Sequence, residues 1–218
     1  MLFFKNMDKF KIIVKSIFKT KQIEPFSLII VIGHIPKRFK NLLNDIISLK
    51  PKCKIFNCLK KENYYSIIEN RNFTDNRNLT ILIATFNKNK NAPEILLKQP
   101  NTTLFINLNV LNLTPQSSGL FFGGFNKWSR PLIIFETIFG ERPELKIFKI
   151  LMLSFFNSNK NDNNISPSSD HLIAFFYVNS KILLRTYQIS KKKKGGKNQF
   201  HLIEIGPRVR FKVNHFSS

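Results

Sequence analysis

Acidic residues are scarce in this chain: 13 Asp and Glu stand against 35 Lys and Arg, a formal net charge of +22 over 218 residues. The few carboxylates are dispersed, and no pair is spaced for general acid–base work or for holding a metal. Cysteine is almost absent. Cys53 and Cys58 cannot build a disulfide framework, which fits a reducing compartment, and no second Cys/His pair follows to complete a zinc site. The four histidines, His34, His171, His201 and His215, stand singly and read as structural. Walker A, GxGxxG, GxSxG and HExxH patterns are all missing. The glycine-rich Gly119–Gly124 stretch has no strand leading tightly into it and no helix clearly leaving it. These absences favour a non-enzyme without cofactor, metal or small-molecule substrate.

Long apolar runs are missing too. The longest uncharged stretch, Gln99 to Asn126, could span a bilayer by length, but it holds Pro100, Asn101, Asn107, Asn109, Asn112, Pro115 and Gln116. It is expected to be a strand followed by a loop, with no membrane contact. No secretory apolar segment with a small-residue cleavage site is found. Residues 1–26 read as a basic N-terminal arm; a mitochondrial presequence is the alternative, against which stand the lack of Arg before Lys21 and the presence of Asp8.

What the chain does have is positive charge and a sizeable apolar fraction, 43%, enough to bury a core. So large an excess on one chain points to a polyanionic partner, nucleic acid or an anionic membrane face. Compositional drift towards Lys, Asn, Ile and Phe under an AT-rich genome accounts for a share of it, and for the 23 Phe.

Along the chain, Ser27–Ile32 is a continuous β-branched run that reads as a buried strand. After Gly33 and Pro36, the residues Phe39, Leu42, Leu43, Ile46 and Ile47 recur at helical spacing. Lys37, Arg38 and Lys40 sit near that helix's start, where its dipole disfavours cations. Strands are expected at Cys53–Asn57, Leu79–Thr85 and Leu104–Val110, with helices at Lys61–Glu69 and, short, at Ala92–Lys98. A second block opens with a strand at Pro131–Phe135 and a helix at Leu145–Phe156. The two starts align, Leu28-Ile29-Ile30 before Pro36 and Leu132-Ile133-Ile134 before Pro143, which suggests a duplicated strand–turn–helix unit. Past a polar connector (Asn157–Ser169) come strands at His171–Val178, Lys181–Ile189, Phe200–Gly206 and Arg208–Val213. Asn179-Ser180 forms a tight turn and Ser190–Asn198 a longer basic hairpin loop. The fold class is therefore α/β (α+β), in two similar halves, about 27–112 and 127–213, the second finishing in antiparallel strands and leaving a short tail at 214–218.

The basic residues are the best organised candidates. Arg208, Arg210 and Lys212 alternate with Val209, Phe211 and Val213, so one strand face is cationic and the other apolar. Their spacing, about 6.6–7 Å, approaches that of phosphates in an extended nucleic-acid strand; an ordinary solvated edge strand is the alternative. Lys191, Lys192, Lys193, Lys194 and Lys197 concentrate five charges in the hairpin, readable as RNA contact, a nuclear address or plain solubility. Arg185 and Tyr187 share a strand face and could support the same surface. Trp128 could stack on a base or support the core.

Three segments resemble a known family. Lys127–Glu136 (KWSRPLIIFE) is similar to the Gly-Ser-Arg-Pro-Leu-Leu-Ser-Phe-Asp stretch that opens the second half of Brix domains. Leu184–Ile189 (LRTYQI) resembles their Phe-Arg-Asn-Tyr-Gln-Ile strand, and Leu202–Arg208 (LIEIGPR) their Leu-Val-Glu-Ile-Gly-Pro-Arg-Phe motif. Order and spacing agree, and the resemblance covers roughly residues 27–213. It departs at Trp128, Thr186 and Val209, where Gly, Asn and Phe are usual, and in the absence of a C-terminal extension. The resemblance implies two halves related to the anticodon-binding domain of class II tRNA synthetases. It further implies a nucleolar, non-enzymatic factor of large-subunit (60S) assembly that binds pre-ribosomal RNA alongside other assembly factors, here in a shortened form suited to a reduced endosymbiont nucleus. Arg130, Arg185 and Arg208 are then expected at RNA, and Gly206 and Pro207 in a structural motif. A protein–protein scaffold with incidental RNA contact and an organellar RNA-binding protein are the alternatives.

Overall fold

A computed structural model describes residues 27–50, 53–59, 79–100, 102–126, 129–156, 169–194 and 197–217; of 191–194 and 197–199 only the backbone is described. The N-terminal arm, the expected helix at Lys61–Glu69, Lys127, Trp128 and most of the polar connector lie outside these residues.

Among the described residues the chain forms one continuous mixed sheet with two long helices. In order the elements are β1 (Ser27–Ile32), α1 (Lys37–Leu49), β2 (Cys53–Cys58), β3 (Ile81–Asn87), β4 (Ala92–Lys98) and β5 (Phe105–Thr114). Then follow β6 (Leu132–Phe135), α2 (Pro143–Phe156), β7 (His171–Val178), β8 (Lys181–Lys194), β9 (Lys197–Glu204) and β10 (Arg208–Ser217). Strand order is β2-β1-β3-β4-β5-β10-β8-β7-β6, with β9 paired to the outer part of β8. One pattern occurs twice. β1 is parallel to β3, then β4 and β5 follow antiparallel; β6 is parallel to β7, then β8 and β10 follow antiparallel. The antiparallel β5–β10 pair joins the two halves.

Local sequence explains most elements. β1 is buried on both faces, as expected of a β-branched run in a parallel arrangement. The α1 stripe Phe39, Leu42, Leu43, Ile46 and Leu49 is buried, and its opposite face is polar. At Asn179 and Ser180 both φ angles are positive (51° and 57°), the geometry that matches the twist of a two-residue hairpin between β7 and β8.

Three expectations are corrected. Ala92–Lys98 is a strand, β4, not a short helix. Seven residues make a marginal helix, whereas pairing to β3 and β5 satisfies the backbone on both sides while Ile95 and Leu97 alternate into the core. The lysine run is not a loop: β8 continues to Lys194 and pairs with β9 as far as Lys194↔Lys197. Residues 214–217 are not a tail but the end of β10, bonded to β5 as far as Ser217↔Phe105.

Both helices pack on one face of the sheet. Their core includes Leu42, Ile46, Phe148, Leu151 and Phe155 with Ile106, Leu108, Ile182, Leu184, Val209 and Phe211 from the strands beneath. Much of the phenylalanine is used here. Phe148 has its ring 5.2 Å from Phe175 and 6.4 Å from Phe211, and Phe135 stacks on Phe175 at 4.8 Å. The end of α2 is tied to the first half: the Phe155 carbonyl accepts from Ser27 Oγ (2.7 Å) and from the buried Lys50 ammonium, a cation at a helix C-terminus. A second apolar cluster, Leu28, Ile30, Ile32, Cys58, Ile81 and Ile83, is buried on the opposite face over β1–β3. No helix among the described residues is long and apolar enough to cross a membrane.

Candidate nucleic-acid interface

With α1 and α2 on one side of the sheet, alternation decides where the charges of β10 go. Val209 and Phe211 face the helices, so Arg208, Arg210 and Lys212 project from the other side and are all exposed. The register extends that face: Arg210 lies opposite Leu183 of β8 and Asn112 of β5, and Arg208 opposite Thr114. Beyond a bulge Lys212 lies opposite Asn109, and the Asn109 and Asn214 amides exchange hydrogen bonds of 2.7 and 2.5 Å. The result is a cationic line edged by asparagines. Neither Arg210 nor Lys212 has a carboxylate partner among the described residues.

Arg185 and Arg208 are different, because both hold Glu204. Arg208 donates from Nε (3.0 Å) and Nη2 (2.6 Å) to the two carboxylate oxygens, and Arg185 Nη1 lies 2.9 and 3.1 Å from the same pair. Burial alone would raise the Glu204 carboxyl, but the hydrogen bonds and charges of Arg208 and Arg185 hold it below the usual carboxylate range. The same bond raises Arg208 above its ordinary value. The Arg208 guanidinium also lies 5.5 Å from the centre of the Phe121 ring.

Phe121 comes from the glycine-rich segment, whose role is therefore packing rather than phosphate cradling. Gly123 (φ +109°) lies against β8 and the residue after β9: a Cβ there would stand 2.7 Å from Gln188 Oε1 and 3.1 Å from Ile205 Cγ2. Gly206 (φ +67°) packs under Phe121, where a Cβ would stand 2.6 Å from the ring. The Gly206–Pro207 turn, with its cis peptide bond, thus carries the chain from β9 into β10 beneath Phe121 and sets Arg208 at the head of the line.

Arg130 is placed elsewhere. It is half-buried before β6, and its charge helps to lower the ammonium pKa of Lys50 on the helix side of the sheet. It does not join the exposed line of β10. The backbones of Lys191–Lys194 and Lys197 lie in the β8–β9 ribbon, and Trp128 lies outside the described residues. Glu204 and Phe121 are the residues that sequence reasoning missed. The signal for Glu204 was a lone acid inside LIEIGPR; for Phe121 nothing local announced the contact.

One cluster superficially offers a nucleophile. Ser129 Oγ donates to Asp170 Oδ1 and lies 3.0 Å from His171 Nδ1, while Asp170 Oδ1 lies 2.8 Å from that same nitrogen. A relay needs the hydroxyl and the carboxylate on opposite ring nitrogens, and here both meet Nδ1 of a fully buried histidine. The cluster is a clasp: Asp170 Oδ2 also accepts from the Asn126 amide (2.7 Å), fastening the segment between the halves to β7.

The chain matches the Brix domain over residues 33–215, most of its length, and belongs to the Brix-domain family. Among its relatives, ribosome biogenesis protein BRX1 homolog 2 of Arabidopsis thaliana is 27% identical over 208 residues, covering 92% of this chain and 64% of the relative. Ribosome biogenesis protein BRX1 of Saccharomyces cerevisiae is 28% identical over 183 residues, covering 78% and 60%. The chain thus spans about three fifths of the length of these curated relatives, which are named for ribosome biogenesis rather than for a reaction. The crystal structure of a probable ribosomal biogenesis protein from Aeropyrum pernix K1 shares the fold at a TM-score of 0.52 and 10% identity, over 88% of this chain and 99% of that one.

Proposed function

We propose that this chain is a non-enzymatic ribosome biogenesis factor that binds pre-ribosomal RNA during assembly of the large (60S) subunit. It works in the nucleolus, alongside other assembly factors and without a membrane or small-molecule ligand. Residues 27–213 act as one Brix domain whose halves are kin to the anticodon-binding domain of class II tRNA synthetases. The observation that carries the reading is the sheet face opposite α1 and α2, on which Arg210 and Lys212 are exposed with no carboxylate partner among the described residues. Backbone phosphate contacts of this kind position a protein without reading sequence, so selectivity comes from RNA shape and neighbouring proteins.

The test is RNA affinity at two salt concentrations for the wild type and for Arg210→Ala/Lys212→Ala. Losing two charge-assisted contacts is expected to weaken binding roughly tenfold or more at low salt. It should also make the dependence of log K on log salt shallower by about 1.4 on a single strand. Unchanged affinity and slope would remove β10 from the interface. The scaffold reading draws on one observation, the exposed Phe200 (63%), Leu202 (54%) and Ile203 (41%) on β9. It would be favoured by particle recruitment that is insensitive to salt but lost in Leu202→Ser/Ile203→Ser.

A further inference from the structure

We infer that Glu204 is a positioning residue of the RNA-binding face: it sets Arg185 and Arg208 as a preformed phosphate fork instead of merely cancelling their charge. The inference rests on the RNA-binding reading above and deepens it.

Two arginines on neighbouring strands repel each other and, left alone, would sample many rotamers in solvent. Glu204 removes that freedom. Its two oxygens receive Arg208 Nε and Nη2 and Arg185 Nη1, all within 3.1 Å, and these bonds hold the carboxyl below its ordinary range despite its burial. Phe121 supports the Arg208 plane from the glycine-rich segment. A guanidinium has five N–H donors in a fixed fork. Arg208 uses two on Glu204, so three remain, among them the Nη1 pair. Arg185 commits Nη1 and keeps Nε and Nη2. The side chains remain 45% and 31% exposed, while that of Glu204 is only 21% exposed. Both arginine side chains are therefore more open to solvent than the acid between them. Arg208 then stands in line with Arg210 and Lys212 at the spacing of alternate strand residues. A phosphodiester reaching this end of the line meets donors whose ordering has already been paid for, the condition under which a supporting group adds affinity.

Simple charge counting predicts the opposite sign, which makes the idea testable. Glu204→Gln raises the net charge by one and, if the carboxylate only screens, should tighten RNA binding and steepen its salt dependence. The positioning role predicts that Glu204→Gln binds a short fluorescein-labelled oligouridylate threefold to tenfold more weakly at about 0.15 M salt, with a slope shallower by about 0.7, one phosphate contact. Arg208→Lys keeps the charge but loses the fork. It should lose affinity to a similar extent, and combining it with Glu204→Gln should cost little more than either alone. Circular-dichroism melts establish that each variant is folded, and if Glu204→Gln is not, Arg208→Lys decides alone. Equal or tighter binding by the deciding variant overturns the inference while leaving RNA binding intact, provided Arg210→Ala/Lys212→Ala weakens it. A wild type that fails to bind, or an unaffected Arg210→Ala/Lys212→Ala, overturns both.

Discussion

Replacing Gly206 by alanine is expected to be costly for two separable reasons. The backbone there has φ +67°, a left-handed conformation that costs an L-residue about 1–2 kcal/mol. The added Cβ would also stand 2.6 Å from Phe121 Cδ2 and Cε2, closer than carbon atoms approach, so the ring must move. Moving it gives up half-buried aromatic surface and the contact with Arg208, a further loss of about 1–2 kcal/mol. Together these predict about 2–4 kcal/mol, which for a chain of this size is a fall in Tm of roughly 5–15 °C. Urea unfolding measures the cost directly, and a cycle with Phe121→Ala separates its parts. With the ring removed, Gly206→Ala should cost only the backbone contribution, about 1–2 kcal/mol. A total below about 0.5 kcal/mol would refute the account, being within the range of a neutral surface change. A cost unchanged by Phe121→Ala would refute its steric half.

Acid should weaken the protein through Glu204 and Asp170. Both carboxyls are held below their ordinary values: burial works against this, but the arginines outweigh it at Glu204, and Ser129, the Asn126 amide and His171 do so at Asp170. A lowered folded pKa gives stability that is present above the ordinary carboxylate range and lost as pH falls through the folded value. Glu204→Gln and Asp170→Asn should therefore each flatten the fall in urea stability below about pH 4.5; an unchanged acid limb in both would contradict this. Lys50 works in the alkaline direction. Burial, with help from Arg130, pushes its ammonium down from 10.5 to about 8 despite the opposing influence of Cys53. Between those values the unfolded chain binds more protons, so stability from Lys50 rises with pH. Relative to Lys50→Met, the wild type should gain about 1 kcal/mol between pH 7 and 9. The comparison with the variant matters because the Cys53 thiol, pushed up to about 12 by burial, removes stability above pH 9. A wild-type-minus-variant difference that stays flat would show that Lys50 titrates normally.

Much of the secondary structure was legible because period and composition act locally. The β-branched SLIIVI run, the α1 stripe and the Asn179-Ser180 turn each carry their conformation in adjacent residues. The alternation of Arg208, Arg210 and Lys212 with Val209, Phe211 and Val213 likewise fixed a cationic face before any partner strand was known. Ala92–Lys98 failed because a short apolar segment has no decisive period; pairing with β3 and β5 made it a strand. The lysine run failed because charge and nearby glycines suggest a loop, whereas β9 supplies backbone partners as far as Lys197.

By itself, then, the sequence determined the large excess of positive charge, the strand–turn–helix unit that occurs twice, the family motifs and which β10 side chains share a face. Only the tertiary structure decided what those side chains meet. It set Arg185 and Arg208 around Glu204, left Arg210 and Lys212 without an acid among the described residues, and moved Arg130 to the helix side. It also turned the glycine-rich segment into the packing support of the LIEIGPR turn. The reason is range: a strand's alternation is fixed over two residues, but the charge on its face depends on strands 20 or 100 positions away, joined only by the register of the sheet.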